Sequence, residues 1–163
     1  MIKIIKNLIL SHFRTIYLFE GTKNKKKINF KNFKLKTFKK FQSIKDKNII
    51  DFINLKKKRF EKKKYLLVLY YKRKAVSLGW MYEGKKWNVL EVEKNINIKN
   101  KILLYDFFTF EKFRNRGYYS ILLKLVKNSK TNKKFWIYCL SNNYSSKKGI
   151  ENSNFNLLKI IRK

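Results

Sequence analysis

The chain contains no proline, one alanine (Ala75), one cysteine (Cys139), one histidine (His12) and five glycines in 163 residues. A single cysteine excludes a disulfide framework and a cysteine-based zinc site, and it fits a reducing, cytoplasmic compartment. A single histidine excludes a His-rich metal site, so no metal is expected. There is no proline-rich or glycine-rich linker and no internal repeat. No apolar stretch approaches the roughly 20 residues of a membrane span. The start, MIKIIKNLILSHF, is broken by Lys3, Lys6 and Ser11-His12 and lacks the long apolar region and small-residue cleavage site of a secretory signal. A short amphipathic helix on a membrane surface stays open.

Acidic residues are also scarce. Against 42 Lys and Arg stand 10 Asp and Glu, a formal charge of +32. Taken alone this is the footprint of a nucleic-acid or anionic-surface binder. A second explanation competes: Lys, Asn, Ile, Phe and Tyr, all encoded mostly by A and T, are abundant where Pro and Ala are nearly absent. Such coding bias raises lysine without any polyanion partner. Aromatics threaded between lysines from Lys23 to Phe60 fit RNA or DNA binding, but no recognised nucleic-acid module accompanies them.

What is present is a core. The hydrophobic fraction is 44%, with fourteen phenylalanines, enough for one domain over 1–163. Its first sixty residues are Lys-rich. Ile2, Ile5, Leu8 and Ile9 are spaced for a helix, and IYLFE at 16–20 reads as a short strand. A lysine-rich stretch runs to about residue 45. Asp46 is placed to cap a helix through Ile49, Ile50, Phe52, Ile53 and Leu55. YLLVLYY at 65–71 and AVSLGWMY at 75–82 form a hairpin about KRK. WNVLEVE continues the strands, KILLYDFFTF at 101–110 is a buried strand, and FWIYCLS at 135–141 is another. Between them a helix follows Gly117, with Tyr118, Leu122, Leu125 and Val126 on one face and Ser120, Lys124 and Lys127 opposite. A short helix and a strand in FNLLKII close the chain. The fold class is mixed α/β with a central sheet.

The segment RNRGYY at 114–119 carries chemistry. A helix N-terminus offers unpaired N–H groups and a positive dipole end, glycine admits close approach, and Arg114 and Arg116 add charge, so an anion is favoured there. One glycine does not name the anion.

RNRGYY resembles the pyrophosphate-binding signature of the GNAT superfamily of acyl-CoA N-acyltransferases. YDFFTFEKFRNRGYYSILL is similar, more closely, to the branch that acetylates amino sugars for polysaccharides, through Thr109, Phe113, Arg114, Gly117, Tyr119, Leu122 and Leu123. NYSSKKGIENSNF at 143–155 resembles the family's segment after its fifth strand through Asn143, Ser146, Gly149, Ile150, Glu151 and Phe155. The hairpin ending in GWMY makes a third block in family order, so the likeness spans about residues 58–155. Glu111, Tyr119 and Asn154 depart from the expected proline and two glycines.

The resemblance implies a mostly antiparallel sheet whose fourth and fifth strands, here 101–110 and 135–141, splay apart. It implies acetyl-CoA as acyl donor and a small-molecule amine acceptor, an amino sugar or nucleotide-linked amino sugar. Backbone N–H groups around Phe108, Thr109 and Phe110 would polarise the thioester carbonyl. The amides of Asn115, Arg116, Gly117, Tyr118 and Tyr119, with Arg114 or Arg116, would hold the pyrophosphate, and Asn143 and Ser146 the pantetheine side. Ile150 occupies the place of the family's thiolate-protonating tyrosine, so that role has no holder, and an inactive relative is open. A general base must free the acceptor amine; Asp106 is expected first, then Glu83 and Glu91, with a structural ion pair as the alternative for Asp106. Tyr118 and Tyr119 suit either helix core or the thiolate, Trp80 either core or an acceptor pocket, and Cys139 a buried filler. A homodimer is left open.

Overall fold

The structure, a computed structural model, describes residues 14–23, 30–61, 63–128 and 132–163. The expected helix over Ile2–Ile9 and His12 lie outside these residues.

Seven strands form one sheet: β1 (Thr15–Gly21), β2 (Phe33–Phe38), β3 (Lys64–Tyr71), β4 (Lys74–Tyr82), β7 (Lys101–Thr109), β8 (Lys134–Leu140) and β9 (Asn156–Arg162), while β5 (Lys86–Val89) and β6 (Lys94–Asn97) pair as a separate ribbon. The order is β2-β3-β4-β7-β8-β1-β9. Every neighbouring pair is antiparallel except β7 and β8, which are parallel because α2 (Tyr118–Lys127) crosses over between them. α1 (Lys47–Ile53) precedes β3, and α3 (Tyr144–Glu151) precedes β9.

Local chemistry explains most boundaries. Asp46 accepts from Asn48 N–H at 3.1 Å and starts α1, as its position implies; the chain then tightens into a 3-10 turn over Asn54–Arg59. Lys72 and Arg73 both take positive φ, 45° and 67°, the geometry a two-residue hairpin requires between β3 and β4. β2 is a strand that its lysines conceal. Phe33 and Leu35 pack toward the α2 core, while Lys34 and Lys36 are exposed on the other side. WNVLEVE does not continue as one strand: Leu90–Val92 form a 3-10 turn ended by Glu93 at φ 51°.

The sheet buries both faces. One packs Leu67, Leu69, Leu104, Phe135 and Ile137 against Tyr118, Leu122, Leu123 and Val126 of α2 and Ile150 of α3. The other packs Leu66, Val68, Leu78, Trp80 and Leu103 under Ile49 and Ile53 of α1. Trp80 belongs to this second core, fully buried with its ring 5.0 Å from Phe60, and does not line a pocket. Lys127 also departs from expectation. It is buried, at 2% exposure, beneath α2, where Nζ donates to Asn154 O at 2.7 Å and lies 4.7 Å from the Phe155 ring centroid. Among the described residues no helix is long and apolar enough to cross a membrane.

Candidate active site

β7 and β8 pair only from Lys101↔Lys134 to Leu104↔Ile137. Beyond that point they part, and a cleft of about 1210 Å³ opens in the gap. Its walls include Phe107, Thr109, Tyr138 and Cys139 from the two strand edges, Gly117 and Tyr119 from the start of α2, and Asn143 and Ser146 from α3. Toward α1 and the β5–β6 ribbon it reaches Arg59, Lys64, Trp87, Glu91, Tyr105 and Asp106.

A bulge in β7 shapes the gap. Leu78 pairs with Phe108 but Trp80 pairs with Tyr105, so Gly79 faces two residues, Asp106 and Phe107. Asp106 takes φ 50°, a conformation aspartate tolerates better than most. After the bulge, Phe110 N–H donates to Val76 O at 3.1 Å. Antiparallel alternation then turns Phe108 and Phe110 toward β4 and the Thr109 amide and carbonyl toward the gap. Of the three amides expected there, Thr109's is the one facing β8. Its side chain is fixed too: Ser77 Oγ lies 3.0 Å from Thr109 Oγ1 and donates to Phe108 O.

The loop before α2 has the form the sequence suggests. Asn115 (φ 60°) and Gly117 (φ 72°) both turn left-handed, and Gly117 is the N-cap. The first helical hydrogen bond runs from Ile121 N–H to Gly117 O at 3.0 Å, so the preceding amides point out of the helix end. A Cβ built at Gly117 meets nothing within 4 Å, so the space before these amides is open. Arg114 Nε donates to Thr109 O at 3.3 Å with its guanidinium 5.6 Å from the Phe108 ring, while Arg116 is exposed. Outward amides, a left-handed glycine and an exposed arginine together suit a phosphate group.

On α3, Asn143 Oδ1 accepts from Ser146 N–H at 3.0 Å and caps the helix, and Asn143 lines the cleft wall. Tyr119 packs against Gly149, its ring centroid 5.4 Å from Phe107, and its hydroxyl lies 3.4 Å from Ser146 Oγ. Burial pushes the Tyr119 phenol well above its ordinary range. Tyr118 is helix core, with Phe33 and Tyr71 ring centroids each 5.6 Å away. Ile150 is fully buried in the same core. Cys139 is buried on the cleft wall, and burial raises its thiol to about 11, which keeps it protonated.

The carboxylates separate into distinct settings. Asp106 lines the cleft but ion-pairs with Lys56 (3.1 Å) and with Arg59. Burial opposes its ionisation, yet the Lys56 and Arg59 contacts prevail and hold its pKa below the usual value. A carboxylate so held accepts a proton poorly, and the pairing is the structural alternative foreseen for it. Glu83 pairs with Lys133 at 3.0 Å and does not line the cleft. Glu91 does line it, beside the hydroxyl of Tyr138, which also accepts from Trp87 Nε1 at 3.3 Å. Tyr138, Trp87 and Tyr105 are cleft-lining residues that motif reasoning missed. Strand alternation in FWIYCLS could have found Tyr138, since it places Tyr138 and Trp136 opposite Ile137 and Cys139; Trp87 carries no such signal.

No protein-family model matches the chain, and no curated protein matches it. Solved structures do match. They include a GNAT-family acetyltransferase from Colwellia psychrerythraea (TM-score 0.58, 13% identity, 97% of this chain and 60% of that one). A GCN5-related N-acetyltransferase from Sphaerobacter thermophilus gives TM-score 0.57 at 9% identity, over 99% of this chain and 55% of that one. A functionally unknown conserved protein from Staphylococcus epidermidis gives 0.58 at 9%, over 97% and 64%. The chain thus spans 55 to 64% of the length of these three structures. At such identities the likeness is one of fold, and together with the strands that part above Leu104 and Ile137 it shows that this chain has the GNAT fold.

Proposed function

We propose that the chain is an acyl-CoA-dependent N-acetyltransferase that moves an acetyl group from acetyl-CoA to a primary amine, an amino sugar or nucleotide-linked amino sugar. The observation that carries this reading is one continuous cleft joining the outward amides of the Gly117 loop, the unpaired edges of β7 and β8, and a half lined by carboxylates and aromatic rings.

The residues present fit the donor. Amides of Gly117, Tyr118 and Tyr119, with Asn115 and the exposed Arg116, would hold the pyrophosphate at the positive end of α2. Unpaired strand edges on either side of the gap, with Asn143 and Ser146, offer hydrogen-bond partners to an amide-bearing arm. Bound there, acetyl-CoA supplies an activated thioester carbonyl. The Thr109 N–H, fixed in β7 and turned into the gap, would be the donor to the negative charge developing on that oxygen; one such donor contributes about 3 kcal/mol.

Asp106 stays ionised between Lys56 and Arg59, where it ties the turn after α1 to the wall of the acceptor end. Trp87 and Tyr105, with ring centroids 4.5 Å apart, give a surface against which a sugar ring or base can lie. The test is release of coenzyme A thiol from acetyl-CoA with free, phosphorylated and nucleotide-linked amino sugars. Turnover with one of them, lost in Gly117→Glu, supports the reading; no turnover with any primary amine contradicts it.

A further inference from the structure

The acceptor must be freed of a proton before it can attack, so the cleft has to contain a group able to take one. All ten carboxylates of the chain lie within the described residues. Cations outnumber them more than fourfold, and Glu20, Glu61, Glu83, Glu93, Asp106 and Glu151 all form ion pairs. Of the remaining four, Asp46 caps α1, while Asp51 and Glu111 stand on the exposed surface away from the cleft. Glu91 is left: a half-buried carboxylate on the cleft wall, with no lysine or arginine paired to it among the described residues. In so basic a chain, a cleft carboxylate that pairs with no described lysine or arginine is a specific arrangement.

The fold holds it in place. Glu91 sits at the centre of the Leu90–Val92 turn, and its flanks Val89 and Val92 are buried against Ile16, Leu18 and Ile161. Its side chain lies near the Tyr138 hydroxyl, and Trp87 Nε1 donates to that hydroxyl at 3.3 Å, so the phenol's own proton is left for another acceptor. Tyr138 lies on β8 just past Ile137, the last residue paired with β7, so this chain of contacts ends at the fork where the strands part. The other charged and titratable side chains lining this half are Arg59, Lys64, Tyr105 and Asp106. Lys64 is paired with Glu61, and Arg59 with Asp106.

We infer that Glu91 is the proton acceptor for the incoming amine, with Tyr138 and Trp87 positioning its carboxylate at the fork. The inference rests on the acetyl-transfer reading above. An ammonium N–H bond breaks, its electron pair stays on nitrogen, and a Glu91 oxygen takes the proton. The nitrogen pair then forms the C–N bond of the amide while the thioester C–S bond breaks. The C–S electron pair leaves on sulfur, which receives the second nitrogen proton, and Glu91 returns its own proton to water. Acetyl-CoA and ammonium thus become amide, free thiol and one released proton.

The experiment compares wild type, Glu91→Gln, Tyr138→Phe and Asp106→Asn with two kinds of nucleophile: the amino sugars named above, protonated near neutral pH, and hydroxylamine, already neutral there. Thermal unfolding with and without acetyl-CoA checks that each variant folds and binds the donor. Glu91→Gln lowers kcat/KM for amino sugars roughly 100-fold or more, leaves the acetyl-CoA-induced shift unchanged and leaves hydroxylamine acetylation within a fewfold of wild type. Tyr138→Phe gives a smaller loss of the same selective kind, which a purely structural defect would not produce. Wild-type turnover with amino sugars undiminished in Glu91→Gln, or an equal loss for both nucleophiles, overturns the inference alone. A large selective loss in Asp106→Asn instead assigns the role to Asp106. No transfer by the wild type to any of these nucleophiles overturns both this inference and the reading beneath it.

Discussion

The ring of Phe107 fills the space that a side chain at Gly79 would take: a Cβ built at Gly79 lies 2.3 Å from Phe107 Cδ1. Gly79 is the residue of β4 that faces the β7 bulge, and the bulge turns Thr109 toward β8. Absence of a side chain on one strand is therefore coupled to the opening of the cleft on the next. Gly79→Ala forces the ring or the bulge to move. The expected cost is about 1–3 kcal/mol of stability, with weakened response to acetyl-CoA, read by thermal unfolding with and without the ligand.

Gly117 separates two effects. Its φ of 72° disfavours any other residue, but nothing obstructs a Cβ. Gly117→Ala should cost about 1 kcal/mol from backbone conformation alone and keep much of the acetyl-CoA binding. Gly117→Glu carries the same backbone cost and places a negative charge among the amides, so its binding is lost. Unfolding temperatures separate the shared stability cost from the binding loss that only Glu produces.

Asp106 couples the 3-10 turn after α1 to β7 through Lys56 and Arg59. Its folded pKa lies below the ordinary 3.8, so the stability it contributes is present above that value and is lost as pH falls through the folded one. The difference in stability between wild type and Asp106→Asn should be constant near neutral pH and shrink below about pH 4. Denaturant midpoints measured across the acid range check this. Turnover should also fall in Asp106→Asn, with acetyl-CoA affinity little changed, since the side chain stands at the acceptor end.

Lys127 has the opposite linkage. Burial, with Lys124 nearby, lowers its pKa from 10.5 to about 8. Between those two values the unfolded chain keeps the proton that the folded chain has released, so Lys127 makes stability rise with pH across that window. Lys127→Met removes this component. The variant's stability relative to wild type should therefore decline as pH rises from about 8 to 10.5.

The course of the chain from Asp46 to Phe155 was legible wherever one physical signal dominated. Asp46 preceded an apolar helix pattern, YLLVLYY and KILLYDFFTF were long apolar runs, and Gly117 divided a basic loop from an amphipathic stretch. What escaped was set by partners distant in sequence. β2 alternates Phe33, Lys34, Leu35 and Lys36, but in a chain this rich in lysine the alternation was lost in the background. Residue type alone puts Lys127 on the solvent face, although helical spacing sets it beside Leu123, and Asn154 O and the Phe155 ring accommodate it. The settings of Asp106 and Glu91 depend on Lys56, Arg59 and Tyr138, which no local pattern joins to them. The motif residues Gly117, Tyr119, Asn143 and Ser146 line one end of the cleft, and tertiary structure was needed to distinguish the carboxylates.

The measurement that bears most directly on the proposed function is a thermal-shift titration with acetyl-CoA, run beside a short single-stranded RNA at low and moderate salt. At about 100 times its dissociation constant a ligand stabilises the fold by roughly 2.7 kcal/mol, a readily visible shift. The account predicts stabilisation by acetyl-CoA that persists at moderate salt and vanishes in Gly117→Glu. No response to acetyl-CoA, together with a strong RNA response that salt abolishes, would contradict it and make the +32 charge the basis of function.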